Sequence, residues 1–212
     1  TENDHREARE IPVLAERMRL VAESRKASNA ASTKEFAAKP YRFVQIQGVA
    51  ENHAIIIPRH TSEFRPYLPV GLVNKDVIVA DSALAIYDSP IWNLAVIASR
   101  IHLVWIAAVC GKIKTDFRYS NTLGWNTFPF PKLTENDMAA LTRCAEDILL
   151  ARESQFPSTI SDLYKPNQMP ESLRAAHERN DEVLERIYIG RRFTNDTERL
   201  ERLFDMYANI RQ

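Results

Sequence analysis

Lys114 and Asp116 stand two residues apart in the run Gly111-Lys112-Ile113-Lys114-Thr115-Asp116-Phe117-Arg118-Tyr119-Ser120-Asn121-Thr122. On an extended segment, side chains two apart project from one face, so a cation and a carboxylate would reach outward together. In the major groove of DNA a lysine can donate to guanine O6 and N7 while a carboxylate accepts from the cytosine N4 amine. The pair could therefore read both halves of one G·C pair. Arg118, Ser120, Asn121 and Thr122 follow, with the cationic, hydroxyl and amide groups that commonly contact the phosphate backbone. A second cluster, Arg59, His60, Thr61, Ser62 and Arg65, comes after an apolar run and reads as a loop touching phosphate or bases.

Each of these has a structural alternative. Alternating charges can simply keep an exposed strand soluble, and Thr61 or Ser62 can bond its own backbone in a turn. Tyr119 suits stacking on the sheet. Arg100 and His102, in an apolar stretch, suit core polar groups with internal partners, and His177 suits a capping or packing role among C-terminal helices.

Catalytic patterns are missing from the sequence, so no catalytic, cofactor-binding or metal-binding residue is expected. Gly48, Gly71, Gly111, Gly124 and Gly190 are far apart, whereas a dinucleotide or S-adenosylmethionine loop needs close glycines. No phosphate loop exists. A nuclease of the (E/D)xK type needs a carboxylate two before a lysine, and Ser24, Ser32, Ala37, Val73, Cys110, Lys112, Phe130 and Leu163 occupy those places. His5, His53, His60, His102 and His177 include no pair at metal spacing. Asn126-Thr127-Phe128-Pro129 lacks the first proline of an Asn-Pro-Pro-aromatic motif and reads as a turn ending the sheet region.

The elements that would hold these residues follow from periodicity. Ile11, Leu14, Met18, Val21 and Arg25 make a helical stripe over residues 11–27, with Pro12 tolerated in its first turn. Ser32 or Thr33 can cap a short helix ending before Pro40. Residues 41–49, 53–58, 67–73, 77–80 and 83–87 are short runs rich in Val, Ile and Tyr, separated by Gly, Pro, Asn and Asp, which predicts a small sheet. Asp88 or Ser89 before Pro90, and Gly111 at a C-cap, predict one long buried helix over residues 90–110. Arg100, His102, Asn93 and Ser99 make it too costly as a membrane span. Beyond Pro131 the pattern is helical. Thr134 caps residues 135–154, a short turn covers 160–164, Pro170 opens a helix to Tyr188, and Thr194 or Asn195 opens the last one.

The fold class expected is α+β: a small mixed sheet with a long buried helix, then a small C-terminal helical bundle, divided as residues 1–131 and 132–212. The 212 residues carry no net charge, but residues 1–40, 41–132 and 133–212 carry +1, +3 and −4. A surplus of +3 is too small to hold DNA firmly without a neighbour. Cys110 and Cys144 form no CxxC pattern, which fits a reducing cytoplasm. Residues 1–10 are densely charged and lack the apolar core of a secretion signal. The chain opens within a helical pattern and without methionine, as expected for a piece of a longer protein.

A resemblance sharpens this reading. Ile57-Pro58-Arg59-His60-Thr61-Ser62-Glu63 with Arg65, Tyr67, Pro69 and Gly71 resembles the target-recognition domain of MmeI-like, type IIL restriction-modification enzymes and related single-chain adenine methyltransferases. So do Asp81-Ser82-Ala83-Leu84-Ala85-Ile86-Tyr87-Asp88, Ser99-Arg100-Ile101-His102 with Gly111 and Arg118-Tyr119-Ser120, and Asn126 to Pro131. Leu163-Tyr164, Met169-Pro170, Leu173, Ala176-His177 and Asn180-Asp181 resemble that family's C-terminal helical domain.

The resemblance implies a non-catalytic part of a larger enzyme. Its nuclease, helical connector and S-adenosylmethionine-dependent N6-adenine methyltransferase would lie upstream, with Mg where a nuclease is present. The expected partners are double-stranded DNA and the parent chain's methyltransferase domain, without membrane or small-molecule substrate. The family's base-reading pair aligns with Lys114 and Asp116, implying a G·C pair with guanine on the methylated-adenine strand, beside that adenine. A separate specificity subunit, a protein-interaction scaffold and an unrecognised enzyme are the alternatives.

Overall fold

A computed structural model describes residues 2–44 and 48–210. The chain divides into two compact units, Thr1–Gly48 and Val49–Gln212, and the second is continuous across residue 131.

The first unit contains α1 (Glu2–Glu10), α2 (Pro12–Ala27) and α3 (Ala31–Glu35), followed by a 3₁₀ turn, Phe36–Ala38. Pro12 sits at the start of α2 as its spacing predicts. Arg25, on the predicted apolar stripe, instead turns its guanidinium onto the carbonyls of Phe36, Lys39 and Arg42 at 3.0, 2.8 and 2.7 Å. It closes the loop after α2. Neither Ser32 nor Thr33 caps α3; its N-cap is Ala30, with no side-chain cap. Residues 41–44 form no strand, and residues 45–47 of that predicted run lie outside the described residues.

In the second unit, β1 (His53–Pro58) is the centre of an antiparallel sheet between β3 (Gly71–Asn74) and β4 (Ala83–Tyr87). Ile55 lies opposite Leu72 on one side and Ile86 on the other. The isoleucine run favours a pleated, half-buried surface, and Ile55 and Ile57 point into the core. Asp88 takes a left-handed φ of 49° beyond β4. Its carboxylate accepts the N–H groups of Glu51, Asn52 and His53, which hold it below the usual carboxylate range. The predicted strand at 67–73 survives only in β3, and residues 77–80 stay irregular.

The predicted 90–110 helix is two helices, α4 (Trp92–Ile97) and α5 (Arg100–Val109). Ser99 breaks it with an extended backbone, its hydroxyl accepting the His102 N–H at 3.3 Å as an N-cap. The Asp181 carboxylate caps the same helix start, accepting the Arg100 N–H at 2.7 Å. Gly111 is no left-handed C-cap, because the chain leaves α5 in extended conformation at Cys110. Both helices are deeply buried, and no helix among the described residues is long and apolar enough to cross a membrane.

The C-terminal helices are α6 (Glu135–Glu153), α7 (Ile160–Leu163), α8 (Glu171–Ile189) and α9 (Asp196–Ile210). Thr134 and Asp137 form a reciprocal capping box on α6. Thr159 caps α7, and Asn195 accepts the Glu198 N–H at the start of α9. One apolar cluster runs from Ile55 through Ile101 and Leu141 to Leu203, so sheet and bundle share a core.

Polar side chains cross that core in matched pairs. Arg152 reaches the Val70 carbonyl at 2.5 Å and the Tyr164 hydroxyl, which bonds His177 Nε2 at 2.6 Å. Since Tyr164 accepts from Arg152, its own proton goes to a neutral His177, whose pKa burial pushes down to about 3. Tyr67 stacks on His177 at 4.2 Å and donates to Asp181 at 2.8 Å. His177 therefore packs against the segment before β3 as well as within the bundle.

Burial pushes the Asp181 carboxyl up to about 6, against the opposing pull of the Arg100 N–H and the Tyr67 hydroxyl. The folded chain then binds this proton more tightly than the unfolded chain, whose aspartates titrate near ~3.9. The Asp181 contribution to stability consequently falls as pH rises from about 4 to about 6. Asp181→Asn has no such proton. The wild type's stability relative to the variant should grow as pH drops from 7 to 4 in urea titrations, whereas a constant difference would mean that Asp181 titrates normally.

Candidate nucleic-acid interface

The candidate residues converge on a second, smaller sheet. β5 (Gly111–Ile113) and β6 (Asp116–Arg118) form a hairpin, and β2 (His60–Thr61) pairs with the other edge of β6. Gly111, Lys112 and Ile113 face Arg118, Phe117 and Asp116. His60 and Thr61 face Arg118 and Phe117. Alternation then sorts the side chains. Phe117 and Thr61 are buried, while Asp116, Arg118 and His60 are exposed.

Lys114 and Asp116 are both exposed, but not on one strand face as the period-two argument supposed. Lys114 occupies the hairpin turn with a left-handed φ of 56°, and Asp116 opens the returning strand. No glycine or asparagine marks this turn, so the sequence reads as unbroken extension. The result places both side chains at the tip of a ribbon. A two-stranded ribbon is narrow enough for a major groove.

The two candidate clusters meet here. The Glu63 N–H lies 3.4 Å from Asp116 Oδ1. Tyr119 extends the ladder, its N–H donating to the Arg59 carbonyl at 2.7 Å. Ser62 Oγ accepts the Phe64 N–H at 3.4 Å, the local turn that Ser62 was also read as making. This turn leaves Phe64 70% exposed, a residue that its sequence neighbours do not single out.

Thr61 and Arg65 sit differently from the expectation for phosphate contacts. Thr61 is 4% exposed with its hydroxyl facing inward, because it shares the pleat direction of Phe117. Arg65 is half-buried and donates to Ser161 Oγ on α7 at 3.3 Å. Arg59 is half-buried too, with its Nε enclosed. The exposed candidates are therefore His60, Lys114, Asp116, Arg118, Asn121 and Thr122.

Asn121 and Thr122 open a π-helical turn, Asn121–Trp125, capped by the half-buried Ser120, whose hydroxyl accepts the Leu123 N–H at 3.4 Å. Gly124 lets this turn press on α5: a Cβ there would lie 3.1 Å from Cys110 Sγ and 3.2 Å from Ile106. Beneath it, Tyr119 is 2% exposed and its hydroxyl meets His102 Nε2 at 3.0 Å. His102 is walled by Phe128 and Trp125, edge to face, and burial pushes its pKa down to about 3. A neutral imidazole thus props the hairpin from inside. Both cysteines are free, and no cluster of potential metal ligands occurs among the described residues.

Residues 1–132 match the family described as MmeI, target recognition domain, and residues 134–212 match MmeI, C-terminal domain. DNA methyltransferase A of Bacillus subtilis (strain 168) is 37% identical over 199 residues, covering 94% of this chain and 22% of that relative. The solved structure of the type IIL restriction-modification enzyme MmeI in complex with DNA superposes with a TM-score of 0.84 at 28% identity, covering 96% of this chain and 27% of that one. The chain spans about a quarter or less of these relatives. Matched over more than half its length by one family and over its remaining helices by the companion family, the chain belongs to the MmeI target-recognition-domain family, with the MmeI C-terminal domain behind it.

Proposed function

We propose that this chain selects the DNA sequence at which a larger, S-adenosylmethionine-dependent N6-adenine methyltransferase acts, and catalyses nothing itself. The observation that carries this reading is the ribbon tip, where Lys114 and Asp116 are both exposed on a fold like that of MmeI, whose structure was solved with DNA. Residues 1–131 would contain the recognition surface and residues 132–212 the helices that brace it. The tip would read a G·C pair, guanine being on the strand of the methylated adenine. His60, Arg118, Asn121 and Thr122 would hold phosphates, which set register without reading sequence.

S-adenosylmethionine, and Mg where a nuclease is present, are assigned to the parent's other domains, in the cytoplasm. Gly71 opens a strand, Gly111 another, Gly124 lies in the π turn and Gly190 ends α8, so none of them forms a cofactor loop between a strand and a helix. With so little net positive charge, duplex binding should need the methyltransferase domain on the opposite side.

Mobility-shift titrations across a salt series, with the methyltransferase domain supplied, test the proposal. Affinity should fall steeply with salt, as counterion release requires. No binding at low salt in that reconstituted system would instead favour a protein-interaction scaffold.

A further inference from the structure

Gly71, Gly124 and Gly190 each have a reason within the fold. A Cβ at Gly71 would meet Ile56 Cγ1 at 2.7 Å, Gly124 is pressed between Cys110, Ile106 and Tyr119, and Gly190 has a φ of +76°. Gly111 has none of these. Its φ lies outside the left-handed range, and a Cβ there would meet nothing within 4 Å. Yet glycine weakens a strand, where it often marks a bulge, a bend, or close approach by a ligand or another backbone, and the register of β5 with β6 is unbroken at Gly111.

Its neighbours indicate which ligand. Gly111 pairs with Arg118, and Arg118 pairs with His60 on its other side. The three form one row across the sheet, all exposed. The Arg118 side chain has no hydrogen bond or ion pair to the protein among the described residues. Directly opposed residues hold their Cβ atoms about 4.5–5.5 Å apart, so a branched side chain at 111 would lie across the arginine stem. Gly111 leaves that flank bare.

We propose that Gly111 is a gate for the sugar–phosphate backbone, which crosses the bare edge of β5 so that one phosphate reaches Arg118 and His60. This rests on the DNA reading above and adds a residue to it. A phosphate is the ligand because the row offers a guanidinium and an imidazole and no carboxylate. Asp116 lies two residues away, towards the tip.

The test uses the full-length parent enzyme carrying Gly111→Ala, Gly111→Val, Arg118→Ala or both Gly111→Val and Arg118→Ala. Gly111→Val should leave the melting temperature unchanged or higher, since valine suits a strand. It should weaken binding about tenfold, equally on cognate and base-substituted duplexes, and lower the salt slope by about one phosphate contact. The double variant should bind no worse than Arg118→Ala alone, the coupling expected of one shared contact. Gly111→Ala should fall between Gly111→Val and the wild type.

Wild-type affinity and slope in Gly111→Val, with Arg118→Ala weakened, would overturn the gate and leave the DNA reading standing. A lowered melting temperature in both glycine variants would assign Gly111 to the fold and also overturn it, as would an altered base preference at unchanged salt slope. If neither Arg118→Ala nor replacement of Lys114 and Asp116 affects binding, the DNA reading itself fails.

Discussion

Exchanging Lys114 for Glu and Asp116 for Arg should invert the preferred pair from G·C to C·G in the reassembled methyltransferase. Under the proposed reading, a glutamate would accept from the cytosine amine in place of a lysine donating to guanine, and an arginine would take the guanine edge in place of an accepting aspartate. Each such contact discriminates by about 1–3 kcal/mol, so both together should change relative methylation of the two duplexes by about a hundredfold or more. The fold should tolerate the change. Both positions are exposed, Lys114 already holds its left-handed φ without glycine, and the only described bond lost is the 3.4 Å contact from the Glu63 N–H. Methylation rates on duplexes differing only at that pair are the measurement. Variants that methylate normally with the original preference would remove Lys114 and Asp116 from base reading.

Glu185→Ala should be among the most damaging substitutions in the chain, for a reason unrelated to DNA. Glu185 is wholly buried on α8 and accepts from Arg199 Nε and Nη2 at 2.8 and 2.5 Å and from the Phe193 N–H at 2.9 Å. Removing the carboxylate strands a buried backbone donor and leaves a guanidinium of which little is exposed with Asp196 and the Phe193 ring as its described partners. Breaking such a pair from one side costs about 3–5 kcal/mol, a large part of the ~5–15 kcal/mol that holds a typical domain together. Urea denaturation should show the midpoint falling accordingly, while Glu185→Gln, which keeps an acceptor for Phe193, should lose less. A loss below about 1 kcal/mol in the alanine variant would mean that relaxation or water satisfies Arg199.

The C-terminal helices do more than follow the recognition segment. Tyr67 to Asp181, Arg152 to Val70, Asn180 to Ala95 and Tyr188 to Pro129 all span it and the bundle. A recognition surface retains its shape only if the elements under it cannot shift. The compact units accordingly part at Gly48 and Val49, whereas the two families match residues 1–132 and 134–212.

Much of the helical half was legible from local chemistry. Thr134 with Asp137 three residues on marks a helix start in any context, and Pro12 does the same for α2. The strands at His53–Pro58 and Ala83–Tyr87 were legible because short apolar runs carrying Ile55, Ile56 and Ile57 in one and Ile86 and Tyr87 in the other stand between turn residues. The break at Ser99 was not, since its second cap, Asp181, is 81 residues beyond Arg100. Two-residue β2 carries no periodicity of its own and exists only through β6.

The sequence by itself therefore determined the class of surface, because the charged, amide and hydroxyl side chains around Lys114, Asp116 and Arg118 are set by composition and order. It also determined most helix boundaries, which depend on residues a few positions apart. Only the tertiary structure decided which candidates face outward. A left-handed turn at Lys114 and the pairing of β2 with β6 turned Thr61 into the core and left His60 and Arg118 outside, and pairing partners some 57 residues apart leave no local periodic trace.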